Sequence, residues 1–343
     1  MDLDQLNEIA LRMVAPGKGI LAADESTRTI KKRFDTIGLE STEDSRRDWR
    51  EMLFRTEPAM SEHISGVILF DETLRQNAAD GTPLVKLIEN AGAVPGIKVD
   101  AGAQDLAGAP GEKITEGLDG LRERLNEYYE LGARFAKWRA VIDIGRGGDE
   151  SIPSQSCIGA NTHALARYAA LCQEANIVPI VEPEVLMDGD HDIERCYEVT
   201  EYTLRKLYAD LFDQGVILEG TVLKPNMVIA GAKCAEQASR EDVAEMTVQC
   251  LMNTVPAAVP GIAFLSGGQS DADATAHLSI MNEGFDLPWP LTFSYGRALQ
   301  AAPLAAWNGG DVEAGQKAFN HRAKMNGLAS LGEWNEGLAQ AAE

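Results

Sequence analysis

A chain of 343 residues with 45% hydrophobic side chains is long enough to bury one large core or two ordinary ones. Its 53 acidic against 31 basic residues leave a net charge of −22, which argues against a nucleic-acid surface or an anionic membrane as partner while leaving room for a local basic pocket. Residues 1–15 lack a basic leading stretch and a continuous apolar core, and no run of 18 apolar residues occurs, so neither a signal peptide nor a membrane span is expected and the cytoplasm is the expected location.

Short apolar runs then recur along the chain, each closing on chemistry-bearing residues. Gly19–Asp24 ends on Asp24, Glu25 and Ser26, and Ile64–Phe70 on Asp71 and Glu72. Gly96–Asp100 carries Lys98 and Asp100. Leu118, Leu121, Leu125, Tyr128 and Leu131 repeat at helical spacing and stop at Gly132. Phe135–Ile142 follows, with Lys137 and Arg139 where an ordinary core strand would carry no charge. Val178–Glu184 ends on Glu182, Pro183 and Glu184. A second helical pattern, Ile193, Cys196, Thr200, Leu204, Leu207 and Leu211, stops at Gly215. Ile217–Lys224 closes on Lys224, Gly261–Ser266 runs into Gly267 and Gly268, and Leu291–Gly296 into Arg297.

Eight such runs, 30 to 45 residues apart and separated by helical patterns, are the spacing of strands joined by helices rather than hairpins. With no Pro/Gly-rich linker, they predict a single (β/α)₈ barrel domain over 1–343, with residues 1–16 and 298–343 as terminal helical additions. A doubly wound open sheet is the alternative. In a barrel the active site gathers at the C-terminal strand ends, where the lysines, carboxylates and glycines of this chain already cluster.

A lysine ammonium, with an ordinary pKa of about 10.4, becomes a nucleophile only where its surroundings favour the neutral amine. Lys224 at its strand end, accompanied by Lys98 and Lys137, therefore suits Schiff-base chemistry on a ketone. Glu182 and Glu184 stand on alternate residues and point to one side of a regular strand, as bases or as ion partners of the lysines. Pro183 between them favours an end-of-strand position. Ser266–Ser270 resembles a glycine-rich phosphate loop, although Ser270 with Asp273 also fits a helix N-cap, the favoured reading of this stretch in isolation. Gly296 and Arg297 after the eighth run favour the phosphate reading, because barrel phosphate sites use the loops after strands seven and eight.

Gly17-Lys-Gly19 is no Walker loop, since no strand precedes it and no Ser or Thr follows the lysine. The five histidines and five cysteines are dispersed without ligand spacing, so no metal is expected and the cysteines read as reduced core thiols. The acidic stretch 188–192 reads as a solvated loop and helix start.

These stretches together resemble class I fructose-bisphosphate aldolase, the metal-independent Schiff-base family. The resemblance rests on Gly17-Lys-Gly-Ile-Leu-Ala-Ala-Asp-Glu-Ser-Thr27, Gly66-Val-Ile-Leu-Phe70, Gly96-Ile-Lys-Val-Asp100, Phe135-Ala-Lys-Trp-Arg139, Ile177-Val-Pro-Ile-Val-Glu-Pro-Glu184, Leu218-Glu-Gly-Thr-Val-Leu-Lys-Pro-Asn-Met227, Phe264-Leu-Ser-Gly-Gly-Gln-Ser270 and Leu291-Thr-Phe-Ser-Tyr-Gly-Arg-Ala-Leu-Gln300. It implies reversible cleavage of fructose 1,6-bisphosphate into dihydroxyacetone phosphate and glyceraldehyde 3-phosphate, the reaction of glycolysis and gluconeogenesis, with no cofactor.

By the same resemblance Lys224 forms the Schiff base, Glu182 accepts and returns protons, and Lys137 and Asp24 support carbinolamine formation and C–C cleavage. Glu184 belongs to the carboxylate network. One phosphate lies against Ser266, Gly267, Gly268, Ser294, Gly296 and Arg297, while Ser26, Arg33, Lys98 and Arg139 line the path to the other. Thr29 stands where the family often has a serine. The implied partners are phosphorylated ketoses and triose phosphates, and the implied assembly is a homotetramer. Transaldolase, another Schiff-base barrel, is disfavoured by the two phosphate-binding sets, and a catalytically silent scaffold by the intact Lys224, Glu182, Lys137 and Asp24. Animal members carry a C-terminal tail whose terminal tyrosine assists protonation. Here the last aromatic is Trp334, so residues 335–343 are expected to stay out of the chemistry, leaving protonation to Glu182 and water.

Overall fold

Alternation along the strands decides what fills the middle of this molecule. A computed structural model describes residues 1–145 and 151–340. Among the described residues, β1 (Gly19–Ala23), β2 (Ile64–Leu69), β3 (Val94–Lys98), β6 (Phe135–Ile142), β7 (Val178–Val185), β8 (Val222–Leu223), β9 (Ile262–Phe264) and β10 (Leu291–Tyr295) form a closed barrel. Every pair is parallel, and closure comes from β1 on β10, with Ile20 opposite Ser294 and Leu21 opposite Tyr295. A ninth and tenth strand, β4 (Gly102–Asp105) and β5 (Lys113–Glu116), make a separate antiparallel hairpin.

Successive strand residues face opposite sides, so each inward row can be read upward in steps of two. On β7 the row is Val178, Ile180, Glu182, Glu184; on β6 it is Phe135, Lys137, Arg139, Val141; on β8 it is Val222, continued by Lys224 just past the strand end. The lower members, with Ile20, Ala22, Ile68, Val94 and Ala263, pack as one apolar plug. The upper members line a cavity. Phe135 fills so much of the lower barrel that a Cβ on Gly96 would fall 2.3 Å from its ring. That glycine is required by packing, not by a turn.

The barrel floor is closed by helix Leu3–Met13, whose Leu6, Ile9, Ala10 and Met13 join the plug at helical spacing. Asp2 caps this helix by accepting from Gln5 N at 3.1 Å, and each of its large buried side chains contributes about 1.5–3 kcal/mol. Helices between the strands form the outer shell; the longest, Gln155–Glu174 and Ile193–Asp213, pack side by side. Helix Arg297–Trp307 follows the eighth barrel strand directly, Val312–Ala329 packs across it, and Glu336–Gln340 ends the described chain. Within the tail expected to be uninvolved, Glu336 accepts from Arg240 at 2.7 Å, whereas residues 341–343 lie outside the described residues.

Two expectations change. The run Ile217–Lys224 is a strand only at Val222–Leu223; Leu218–Gly220 is a 3₁₀ turn. The side-chain amide of Gln173 donates to Ile217 O at 2.7 Å and accepts from Ile217 N at 3.0 Å, replacing the ladder partners a strand would need. The hairpin of β4 and β5 was not foreseen, because its strands are short, largely polar and exposed or half-buried except at Thr115, and so carry little alternation. It is docked on β6 by Thr115 Oγ1, which donates to Arg139 O at 2.7 Å.

Candidate active site

The upper inward row converges on a cavity of about 440 Å³ at the C-terminal end of the barrel. Its lining includes Asp24, Ser26, Thr29, Arg33, Lys98, Lys137, Arg139, Glu182, Glu184, Lys224, Ser266, Gly267, Ser294, Gly296 and Arg297. The strand-end carboxylates Asp71 and Glu72 are absent from this lining; of the residues given a site role by the family resemblance, Gly268 alone is absent. It has φ +75°, and a Cβ there would fall 1.9 Å from Cγ of Met187, so it shapes the loop against Met187. Two lining carboxylates, Glu25 and Asp100, were not singled out as site residues. Nothing in the sequence separated Glu25 from its neighbour Asp24, and Asp100 lies two residues beyond the end of β3.

Lys224 is placed by the ends of two neighbouring strands. Its N–H donates to Val181 O at 2.9 Å, and Asn226 accepts from Val185 N at 3.0 Å, so the Lys224-Pro225-Asn226 segment is tied along β7. Its Nζ lies 3.0 Å from Glu182 Oε1. The other oxygen, Oε2, is 3.1 Å from Lys137 Nζ, at ion-pair distance but without hydrogen-bond alignment. Lys137 in turn donates to Asp24 Oδ2 at 2.9 Å, across 113 residues of sequence. The order is therefore Lys224, Glu182, Lys137, Asp24, with cation and anion alternating and Lys137, Glu182 and Lys224 each buried to 4% exposure or less.

Burial alone would raise both carboxylates and lower Lys137. For Glu182, burial is outweighed by Lys137, Lys224 and Arg139, which hold the carboxyl below its usual range. Asp24 is likewise held well below that range, against burial, by Lys137, Lys224 and Lys98. Lys137 is pushed up despite burial, because Asp24, Glu182 and Asp100 surround it. Lys137 thus stays a cation, and Glu182 and Asp24 stay anions able to accept a proton.

Two groups of anion donors share the lining with this row. In one, Ser266 and Gly267 follow β9, Ser294 lies near the end of β10, and Gly296 and Arg297 come just after it. Ser294 Oγ is buried on the cavity with no hydrogen-bond partner among the described residues. Arg297 donates to Gln269 O at 2.5 Å, which keeps its guanidinium against the loop. Helix Arg297–Trp307 opens at Gly296 without a side-chain cap, leaving its first N–H groups available to an anion. Helix Asp271–Gly284 differs, since Ser270 caps it by accepting from Asp273 N at 3.0 Å; the N-cap reading of Ser270 is the one realised.

The second group comprises Ser26, Thr29, Lys98 and Arg139. Ser26 opens helix Thr27–Asp35, again without a side-chain cap, and its Oγ lies 3.1 Å from Thr29 Oγ1. Lys98 pairs with Asp100 at 2.8 Å, and Arg139 with Glu184. Arg33 starts on the same helix, but its Nη2 would lie 3.6 Å from a Cβ on Gly296, which places the guanidinium beside the first group. The cavity lining carries six basic side chains against five carboxylates, in a chain whose net charge is −22. An anionic ligand is drawn to this opening rather than to the surface around it. Among the described residues no group of three or more His, Cys, Asp or Glu side chains could hold a metal ion.

Residues 5–343 match the family model "Fructose-bisphosphate aldolase class-I". The chain is 62% identical over 337 residues to a probable fructose-bisphosphate aldolase class 1 of Xanthomonas campestris, covering 97% of this chain and 99% of that protein. It is 54% identical over 331 residues to the cytosolic fructose-bisphosphate aldolase 4 of Arabidopsis thaliana, covering 96% and 83%. Among solved structures, fructose-bisphosphate aldolase from Plasmodium falciparum, crystallised with TRAP and a small-molecule inhibitor, superposes with a TM-score of 0.95 at 47% identity, covering 98% of this chain and 96% of that one. A lysine–carboxylate row at the mouth of a closed barrel and a match along almost its whole length lead to one assignment: the chain belongs to the class I fructose-bisphosphate aldolase family.

Proposed function

We propose that Lys224 is the residue through which this class I aldolase cleaves fructose 1,6-bisphosphate into dihydroxyacetone phosphate and glyceraldehyde 3-phosphate, the reversible step shared by glycolysis and gluconeogenesis. The observation that carries the assignment is the 3.0 Å approach of Lys224 Nζ to Glu182, in a cavity whose lining also carries two groups of anion donors. A six-carbon sugar with a phosphate at each end can span these groups with its C2 carbonyl over Lys224.

Attack of the Lys224 amine on C2 gives a carbinolamine, and loss of water, with Glu182 moving the protons, gives the cationic iminium. The C3–C4 bond then breaks, its electron pair flowing to the iminium as an enamine, while the C4 hydroxyl gives its proton to Asp24 and C4 leaves as the aldehyde. Protonation of the enamine at C3, from Glu182 or water, and hydrolysis of the iminium return the free lysine and dihydroxyacetone phosphate. Lys137, held cationic between Asp24 and Glu182, offsets negative charge on the carbinolamine oxygen. Ser266, Gly267, Ser294, Gly296 and Arg297, with Gly268 shaping the loop, bind one phosphate; Ser26, Thr29, Lys98 and Arg139 bind the other. Arg33 joins the first set, and Glu184 orients Arg139.

The reaction needs no metal or other cofactor in this scheme, because the lysine supplies the electron sink. Among the described residues no helix is long and apolar enough to cross a membrane. The Arabidopsis relative supports a cytosolic location, and family membership supports a homotetramer. Borohydride added with dihydroxyacetone phosphate should leave a covalent adduct on Lys224 by mass spectrometry, and cleavage should survive EDTA. An adduct on another lysine would reject the assignment.

A further inference from the structure

Glu25 takes no part in the steps above, yet it is buried at the edge of the same cavity. Its Oε1 lies 2.5 Å from Arg33 Nη1 and accepts from Gln300 Nε2 at 2.9 Å. Gln300 is itself fixed: it donates to Ala22 O at 2.6 Å and accepts from the Trp49 indole at 3.3 Å. Arg50, almost wholly buried, donates to Glu25 O at 2.8 Å and approaches Glu72 at 3.6 Å. Arg46 holds Glu72 through two bonds of 2.8 and 2.5 Å. Charge thus alternates from Arg46 through Glu72, Arg50 and Glu25 to Arg33, the one cation of this row on the cavity lining.

We propose that Glu25 is a positioning residue: it grips one edge of the Arg33 guanidinium so that the other edge faces Gly296 and meets the substrate phosphate there. The inference rests on the reading of Arg33 as a phosphate contact. A planar guanidinium presents two edges, and a carboxylate can occupy one while a phosphate takes the other. A long side chain on a helix surface loses rotamer freedom when it binds; one already held by a buried carboxylate has little left to lose. Gln300 holds the Glu25 carboxylate and Arg50 its backbone carbonyl, so Glu25 keeps its place when Arg33 turns toward a ligand. Gln300 also belongs to the helix that Gly296 and Arg297 open, so grip and phosphate donors move as one body.

The test is a double-mutant cycle read in steady-state cleavage of fructose 1,6-bisphosphate and in competitive inhibition by inorganic phosphate. Glu25→Gln should raise KM and the phosphate inhibition constant at least about fivefold with kcat within about threefold, because the lysine–carboxylate row is untouched. Arg33→Ala should raise both constants at least as much, and adding Glu25→Gln to it should change nothing further. Gln300→Met, which leaves the charge but removes the amide holding it, should shift KM the same way and serves if Glu25→Gln does not fold. Additive effects in the double variant, or a fall in kcat at unchanged KM, would overturn the positioning role. An unaltered KM and inhibition constant in Arg33→Ala would overturn the reading of Arg33 and the role of Glu25 with it.

Discussion

Lys137→Met removes one charge from the centre of the buried row and leaves the stem. In the folded protein, Lys137 Nζ contacts Asp24 at 2.9 Å and Glu182 at 3.1 Å, and both carboxyls are held below their ordinary range against burial. A carboxylate depressed in this way stabilises the fold above its unfolded pKa, near 4, and loses that contribution as pH falls through the folded value. Without Lys137, burial gains the upper hand for the two carboxylates that remain with Lys224. Their folded pKa values rise, and the variant loses stability as pH climbs from about 4 toward those raised values. Removing one partner of a buried ion set costs about 3–5 kcal/mol, so the deficit at pH 8 should fall in that range and shrink steadily toward pH 4. Urea unfolding at several pH values measures it, and cleavage should drop by about 10²- to 10⁴-fold alongside. A deficit independent of pH between 4 and 8 would refute the charge arrangement.

Two further outcomes are expected. Arg297→Lys replaces a planar fork with a point charge and should lower kcat/KM for phosphorylated ketoses at least about tenfold, or roughly 1.4 kcal/mol; unchanged steady-state kinetics would remove Arg297 from the phosphate site. His277 is pushed down to about 4 by burial, while its Nδ1 is 2.6 Å from Gln269, whose carbonyl holds Arg297. The unfolded chain, with His near 6.5, takes up the extra proton first, so stability present above 6.5 is lost as pH falls to about 4, by about 3 kcal/mol. His277→Gln should flatten that acid-side slope in thermal or urea unfolding, and an identical slope would show that His277 does not carry it.

The sequence alone was enough to identify which residues share a face. Period-two alternation puts Glu182 with Glu184 and Lys137 with Arg139; that the apolar residues two or four positions earlier fill the floor beneath them is seen in the structure. The spacing of eight runs indicated the barrel, and the strand ends already held thirteen of the fifteen assigned residues found on the cavity lining; Thr29 and Arg33, on helix Thr27–Asp35, came only from the family resemblance. Alternation fails where side chains replace the ladder, as Gln173 does at Ile217, and where a strand is short and polar, as in the hairpin Gly102–Asp105 and Lys113–Glu116. What it cannot supply is who faces whom across the barrel. Asp24 meets Lys137 only because β1 closes on β10 and the ring brings distant strand ends to one opening. Glu25, one residue on, is turned out of the lysine row into a second row reaching helix Glu43–Phe54 and Gln300. Arg33 begins beside one phosphate group and ends beside the other. A strand's own period selects the side on which a charge emerges; the closure of the barrel and the packing of its helices select the partner that neutralises it.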